Sequence, residues 1–320
     1  MRKEEREMSK KTFVISVLVL LVILFSEKCF GIQVKGMNYD IGVWSDPISR
    51  GEFLKDLYSI KSLNCNTIRL CGNSNLLVEF ATVALDEGFN VWVSPRYINK
   101  NFIHTLKSLK RLAAELEYIR ERYPDRVVLI VGNELTLDMK GLIKGDQYID
   151  RVRRVPFAFE YNKKLNKILK IIAAEVRLRF KGKLLYAAAI HERVDHIIFD
   201  FIGVNYYTLF GIGLNLGQMK KEYNKDIVIT EFGTCNYRFS SLISPISWYP
   251  PRTFLKHFLV KDDTEQIEYY KRCFDVFREV GVYGTFVYTF AEKRKKAGIG
   301  SYGIVSREGL RNLIKEMYKY

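Results

Sequence analysis

Val127-Val128-Leu129-Ile130-Val131-Gly132-Asn133-Glu134 is a run of aliphatic and β-branched residues that stops abruptly at a carboxylate. An unbroken apolar run of this length reads as a strand buried on both faces, as in a parallel sheet. The same pattern returns in Asp226-Ile227-Val228-Ile229-Thr230-Glu231-Phe232-Gly233. Parallel α/β folds gather their chemistry at the carboxyl ends of strands, so both glutamates are expected to face one cleft.

Outward from these two runs, strand and helix patterns alternate. Strands are expected near Val34–Asn38, Thr67–Cys71, Val91–Ser94, Val127–Val131, Leu184–Ala188, Phe201–Val204, Ile227–Thr230 and Thr285–Tyr288. Helical periodicity fills Gly51–Leu63, Leu76–Glu87, Phe102–Arg122, Phe157–Phe180, Thr264–Val280 and Arg307–Tyr318. Tyr123-Pro124 and Lys181-Gly182 supply stop signals for the third and fourth of these. Eight βα units predict an α/β fold of the (β/α)8 barrel type, for which about 250 residues is typical. A doubly wound open sheet would show a glycine-rich phosphate turn after its first strand. Gly36-Met37-Asn38-Tyr39-Asp40 is no such turn, and Gly211-Ile212-Gly213-Leu214-Asn215-Leu216-Gly217 stands in a late loop.

The chain has 320 residues and is 48% hydrophobic, enough for a large core. One composition break divides it. Met1–Lys11 is charged, and Thr12–Phe25 is uncharged and almost wholly apolar. That pattern predicts an export signal over residues 1–30, ahead of a catalytic domain over 31–320. The apolar run is short against the roughly 17 to 25 residues of a membrane span. A cleaved signal peptide and an uncleaved anchor are both open, and the lack of a small-x-small site before Gly31 favours the anchor. The basic flank would stay in the cytoplasm, placing the rest on the outer face of the membrane or in the medium. The net charge of +15 is spread over many helical segments and is not gathered in one arm, so a solvated basic surface is expected and nucleic acid is not. Five cysteines show no C-x-x-C spacing, and no cluster of His and Asp marks the strand ends. No metal and no cofactor is therefore expected.

Glu134 and Glu231 would end strands four and seven, which look at each other across an eight-stranded ring. Two carboxyl groups about 5 to 5.5 Å apart support glycosidic cleavage with retention of configuration. One must stay protonated to donate to the leaving oxygen, and the other ionised to attack the anomeric carbon. Arg69, in Asn66-Thr67-Ile68-Arg69-Leu70, is expected beside Glu231, favouring its charged form. Tyr206, just past strand six, is expected to donate to the same carboxylate while Tyr207 alternates away. Asn133 would hold the sugar hydroxyl next to the reacting carbon. Trp44, Arg96 and Trp248 fall on predicted loops of the same face, and His191 follows strand five.

Gly132-Asn133-Glu134 on strand four and Thr230-Glu231-Phe232-Gly233 on strand seven resemble glycoside hydrolase clan A, the retaining (β/α)8 enzymes that include families 2 and 5. Lys35-Gly36-Met37-Asn38, Thr67-Ile68-Arg69-Leu70, Asp200-Phe201-Ile202-Gly203-Val204-Asn205-Tyr206-Tyr207 and Ser301-Tyr302-Gly303-Ile304-Val305 resemble other parts of the clan pattern in the same order. The resemblance implies Glu134 as acid/base, Glu231 as nucleophile, Asn38 as a supporting residue and an oligo- or polysaccharide as substrate. The clan's strand-eight tryptophan is missing. Tyr288-Thr289-Phe290-Ala291-Glu292 stands there, with Phe290 as the expected substitute platform. A non-catalytic glycan-binding or scaffold barrel and a transglycosidase of the same clan are the alternatives.

Overall fold

The computed structural model describes residues 31–43, 48–72, 74–158, 160–249, 259–292 and 300–319. The expected signal or anchor over residues 1–30 and Trp44 lie outside them. Among the described residues no helix is long and apolar enough to cross a membrane.

The eight expected strands form. They are β1 (Val34–Ile41), β2 (Thr67–Gly72), β3 (Asn90–Pro95), β4 (Val127–Asn133), β5 (Lys183–Ala187), β6 (Ile202–Asn205), β7 (Ile227–Phe232) and β8 (Gly284–Val287). All pair in parallel in the order β5-β4-β3-β2-β1-β8-β7-β6. Closure comes from a parallel bridge between Ala188 and Val204, where Asn205 N donates to Ala188 O at 2.8 Å. The result is a (β/α)8 barrel, and strands four and seven face each other across it.

Helices α1 (Arg50–Lys61), α2 (Ser74–Asp86) and α3 (Phe102–Arg122) follow the first three strands. Strand β4 runs into a single turn, α4 (Leu135–Asp138), then α5 (Tyr148–Arg154) and α6 (Tyr161–Arg177). The later helices are α7 (Leu216–Tyr223), α8 (Asp263–Val280) and α9 (Glu308–Met317). Local chemistry sets the ends. A Ser49–Glu52 capping box starts α1, the Asn101 side chain caps α3, and Gly281 closes α8 with φ at 66°. The helix expected from Phe157 begins instead at Tyr161. Val155–Phe157 is a separate 3-10 turn with Pro156 in its first positions, where a missing N–H costs nothing.

Two apolar layers hold the barrel. One lies between strands and helices and is built from alternate strand residues such as Ile68, Leu70, Leu129 and Val131. The other fills the barrel and includes Trp92, Ile130, Leu185, Phe201, Val228 and Phe286. The Trp92 ring lies 5.1 Å from Phe286 and 5.5 Å from Phe201, making a dry floor. Gly36 makes room for it, since a Cβ there would come within 2.2 Å of the Phe286 ring. The polar side chains of the site gather above this floor. Register shifts occur at Ile130/Asn133, Val204/Asn205 and Ile229/Phe232, all near the carboxyl ends of their strands. Such shifts re-aim side chains. Thr230 and Glu231 are consecutive, yet both reach polar partners on the inside of the ring.

Candidate active site

Arg69 is the hub. It projects from β2 just above Trp92, its register partner on β3, and is wholly buried. Nη1 donates to Asn38 Oδ1, Thr230 O and Glu231 Oε1, each at 2.8 Å. Nη2 donates to Ser94 Oγ at 2.9 Å and to Asn133 Oδ1 at 2.7 Å. A buried guanidinium is costly without a counter-charge and satisfied donors, and here β1, β3, β4 and β7 together supply them to both Nη groups, while Nε has no partner among the described residues. Asn38 braces the same joint by donating to Thr230 O at 3.0 Å and to Phe286 O at 3.2 Å.

Glu231 is 5% exposed and held from two sides. Arg69 takes Oε1, and the Tyr207 hydroxyl donates to Oε2 at 3.0 Å. The expectation for Tyr206 is therefore corrected. Asn205 points inward, donating to Glu134 Oε1 and accepting from Thr230 Oγ1. Alternation from Asn205 turns Tyr206 outward, edge-on to Phe277 at 5.2 Å, and brings Tyr207 back in. Burial, then the charge of Glu231, pushes the Tyr207 hydroxyl well above its ordinary range and keeps it a donor.

Glu134 has a different setting. It caps α4 in the left-handed region (φ 44°, ψ 51°), a strained conformation for a residue with a Cβ. Asn205 Nδ2 donates to its Oε1 at 2.9 Å. Burial first, and the charge of Glu231 second, push its carboxyl up to about 8. The neighbouring Asn133 accepts from Arg69 and from Asn205 Nδ2 (3.2 Å) through Oδ1. That fixes its amide and leaves Nδ2 a buried donor with no partner among the described residues.

The turn carrying Glu134 is clamped from β5. Glu134 N donates to Ala187 O at 3.0 Å and Leu135 N to the Tyr186 hydroxyl at 2.7 Å. The Tyr186 hydroxyl donates to Glu192 Oε2 at 2.8 Å, and Thr136 donates to Glu192 Oε1 from both its amide and its hydroxyl. His191 meets the Thr136 hydroxyl at 2.9 Å, which makes it part of this clamp and not of the cleft wall.

The cleft over the two glutamates holds about 540 Å3, open solvent included, and is walled by Arg96, Tyr148, Tyr207, Pro245, Trp248, Tyr288 and Tyr302. Trp248 and Tyr148 present rings 6.3 Å apart. Arg96 is pinned by Asp138 through Nε–Oδ2 at 2.5 Å and Nη2–Oδ1 at 2.8 Å. The loop bearing Tyr148 is tied down by buried Arg151, which donates to Leu137 O at 2.6 Å and Gly145 O at 2.8 Å. Phe290 is not a platform. It is fully buried behind β1, stacked on Tyr39 at 6.1 Å, and Tyr288 takes the cleft position edge-on to Tyr302. Sequence reasoning missed Asn205, Tyr148, Tyr207, Tyr288, Tyr302 and Glu192. Counting alternation inward from Asn205 would have found Tyr207, and two steps on from Phe286 would have found Tyr288. Cys65, Cys71, Cys235 and Cys273 are free and buried. Among the described residues no group of three or more His, Cys, Asp or Glu is placed to hold a metal ion.

No protein-family model matches the chain, and no curated protein matches it in sequence. Solved structures match it in fold. A GH113 β-mannanase from Alicyclobacillus acidocaldarius is 14% identical, with 90% of this chain and 97% of that one covered and a TM-score of 0.64. A β-glucuronidase from Ruminococcus gnavus is 17% identical over 89% of this chain, with a TM-score of 0.59. A GH2 β-galacturonidase from Eisenbergiella tayi is 16% identical over 90% of this chain, also at 0.59. This chain spans 49% and 51% of those two, so it corresponds to one part of each. The eight-stranded parallel barrel is thus a fold this chain shares with these solved structures.

Proposed function

We propose that the chain is a retaining glycoside hydrolase acting on a β-glycosidic bond, with Glu231 as nucleophile and Glu134 as acid/base. The observation that supports it best is the contrast between two carboxyl groups in one cleft. Glu231 faces a guanidinium and a phenol, whereas the carboxyl of Glu134 is pushed up to about 8 by burial and by the charge of Glu231. In the first step the Glu231 carboxylate attacks the anomeric carbon. The bond to the leaving oxygen breaks, and Glu134 gives that oxygen its proton. In the second, Glu134 takes a proton from water as the water oxygen attacks the same carbon and frees Glu231. Asn133 Nδ2 supplies a donor for the hydroxyl beside the reacting carbon, a contact that strengthens in the transition state. The Trp248 and Tyr148 rings offer apolar faces for sugar C–H groups.

The test is trapping with a panel of fluorosugar inactivators followed by peptide mapping. The label is expected on the peptide containing Glu231, and the sugar that labels identifies the glycone. Labelling elsewhere, or sugar binding with no turnover on any glycan, would replace this reading with that of a binding barrel. Products longer than the substrate would turn it toward glycosyl transfer. The reading includes export through Thr12–Phe25, tested by whether the chain fractionates with membranes or in the medium.

A further inference from the structure

A second groove opens on the same face. It is formed by the loop after β1 (Gly42, Val43), the loop after β3 (Arg96 to Lys100) and the first half of α3. It holds about 1310 Å3 against about 540 Å3 for the cleft, counted in the same way. Arg96 lines both, so the two meet at one guanidinium.

The chemistry of the two differs. The cleft carries two carboxyl groups, whereas the groove is lined by Arg96, Lys100, His104, Lys107 and Arg111, with no carboxylate among its described lining residues. Among the described residues the ammonium groups of Lys100 and Lys107 have no ion-pair partner. Lys107 and Arg111 stand one helical turn apart, Arg111 sharing its charge with Glu115 at 3.6 Å, so the lysines carry most of the groove's uncompensated charge. Tyr97 and His104 meet edge to face at 6.3 Å in the wall, adding aromatic surface within the basic row. Cations spaced along an open channel with aromatic faces between them suit a chain of rings that carries negative charge at intervals.

We propose that this groove binds an acidic stretch of the glycan whose neighbouring bond lies over Glu134 and Glu231, so that the substrate is an anionic polysaccharide or oligosaccharide. The proposal rests on the glycosidase reading above and names its substrate class. The charge on the sugar is a carboxylate or a sulfate, and the groove's open shape accepts either.

Binding is measured on the full-length Glu231→Gln variant, which does not turn substrate over, by affinity electrophoresis and calorimetry. The probes are β-1,4-linked polymannuronate, a sulfated galactan containing β-linkages, neutral β-mannan and a single-stranded DNA oligomer. Retention by one of the two acidic glycans is expected, falling steeply between low and high salt as exposed charges are screened. Which of the two retains it separates carboxylate from sulfate. Adding Lys100→Gln and Lys107→Gln to that variant is expected to weaken binding about two- to fivefold per lysine, the range of exposed ion pairs. Equal binding of neutral mannan, an unchanged affinity in the lysine variants, or equally tight capture of the DNA would overturn the proposal. A separate arm keeps the two readings apart. The lysine substitutions placed in the otherwise native chain should leave turnover of small aryl glycosides unchanged, because these reach only the cleft. Loss of that turnover would overturn the assignment of the lysines to a separate subsite. Groove-dependent binding in a native chain that cleaves no glycoside would instead overturn the glycosidase reading.

Discussion

The ends of β4 and β7 carry the same side chain and treat it in opposite ways. At β7 the carboxylate meets a buried guanidinium at 2.8 Å and a phenol at 3.0 Å. At β4 the carboxyl receives one amide donor, sits on a strained left-handed residue, and is pushed up to about 8. Residue type did not decide which glutamate is which. The neighbours did: Arg69 and Tyr207 hold Glu231, whereas burial and the charge of Glu231 act on Glu134. The charge at Glu231 is the second cause of the shift at Glu134.

The sharpest way to break this contrast is Glu231→Gln, which in the proposed mechanism removes the attacking atom while keeping the shape. Turnover of an activated aryl glycoside is expected to fall by more than about 10⁴-fold, beyond what acid–base assistance alone contributes. Glu134→Gln is expected to cost roughly 10² to 10⁴ on a substrate with a poor leaving group and much less on one that departs unaided. Equal losses on both substrates would contradict the acid role. In the native chain kcat/KM should fall as pH rises through about 8, because only the protonated form of Glu134 donates.

Stability follows the same shift. The Glu134 carboxyl is raised in the folded state from 4.5 to about 8. The folded chain therefore holds a proton that the unfolded chain has released, and the associated stability is present below pH 4.5 and lost as pH rises to about 8. Thermal melts should show Glu134→Gln gaining on the native chain across that window. Parallel Tm curves would exclude the shift. Arg69→Met attacks the hub itself. Removing one partner of a buried pair costs about 3 to 5 kcal/mol, so a large fall in Tm should accompany the loss of turnover.

The sequence carried the barrel plainly because both apolar layers leave a mark in it. Buried parallel strands need continuous β-branched runs, and Val127–Val131 and Ile227–Thr230 can hardly be read otherwise. The two glutamates were legible as the polar residues that end those runs. The partners were harder to read because they come from across the ring. Arg69 reaches β1, β3, β4 and β7 at once, and no local pattern encodes the register that aligns them. Glu192 acts through a turn 58 residues from the glutamate it supports, 192 minus 134 in chain position. Phe290 and Tyr288 exchanged roles for a related reason. Phe290 N bonds Asn38 O, which draws that segment over the outside of β1.

The smallest effect gives the finest test of the comparison, because it separates adjacent residues of one type. Tyr207→Phe removes the only phenol on Glu231 among the described contacts, a hydrogen bond to a charged group worth about 1.5 to 3 kcal/mol. A tenfold to hundredfold loss of kcat/KM is expected, with the fold intact. Tyr206→Phe removes a hydroxyl that faces away from the cleft and keeps the ring against Phe277, so kcat/KM should stay within about twofold of native, the span of an ordinary surface change. The reverse result would mean that β6 enters the site one residue out of the register observed here. Asn205 would then turn from Glu134 as well, and the amide that opposes its upward shift would be lost. A higher pH limit for kcat/KM would reveal that loss.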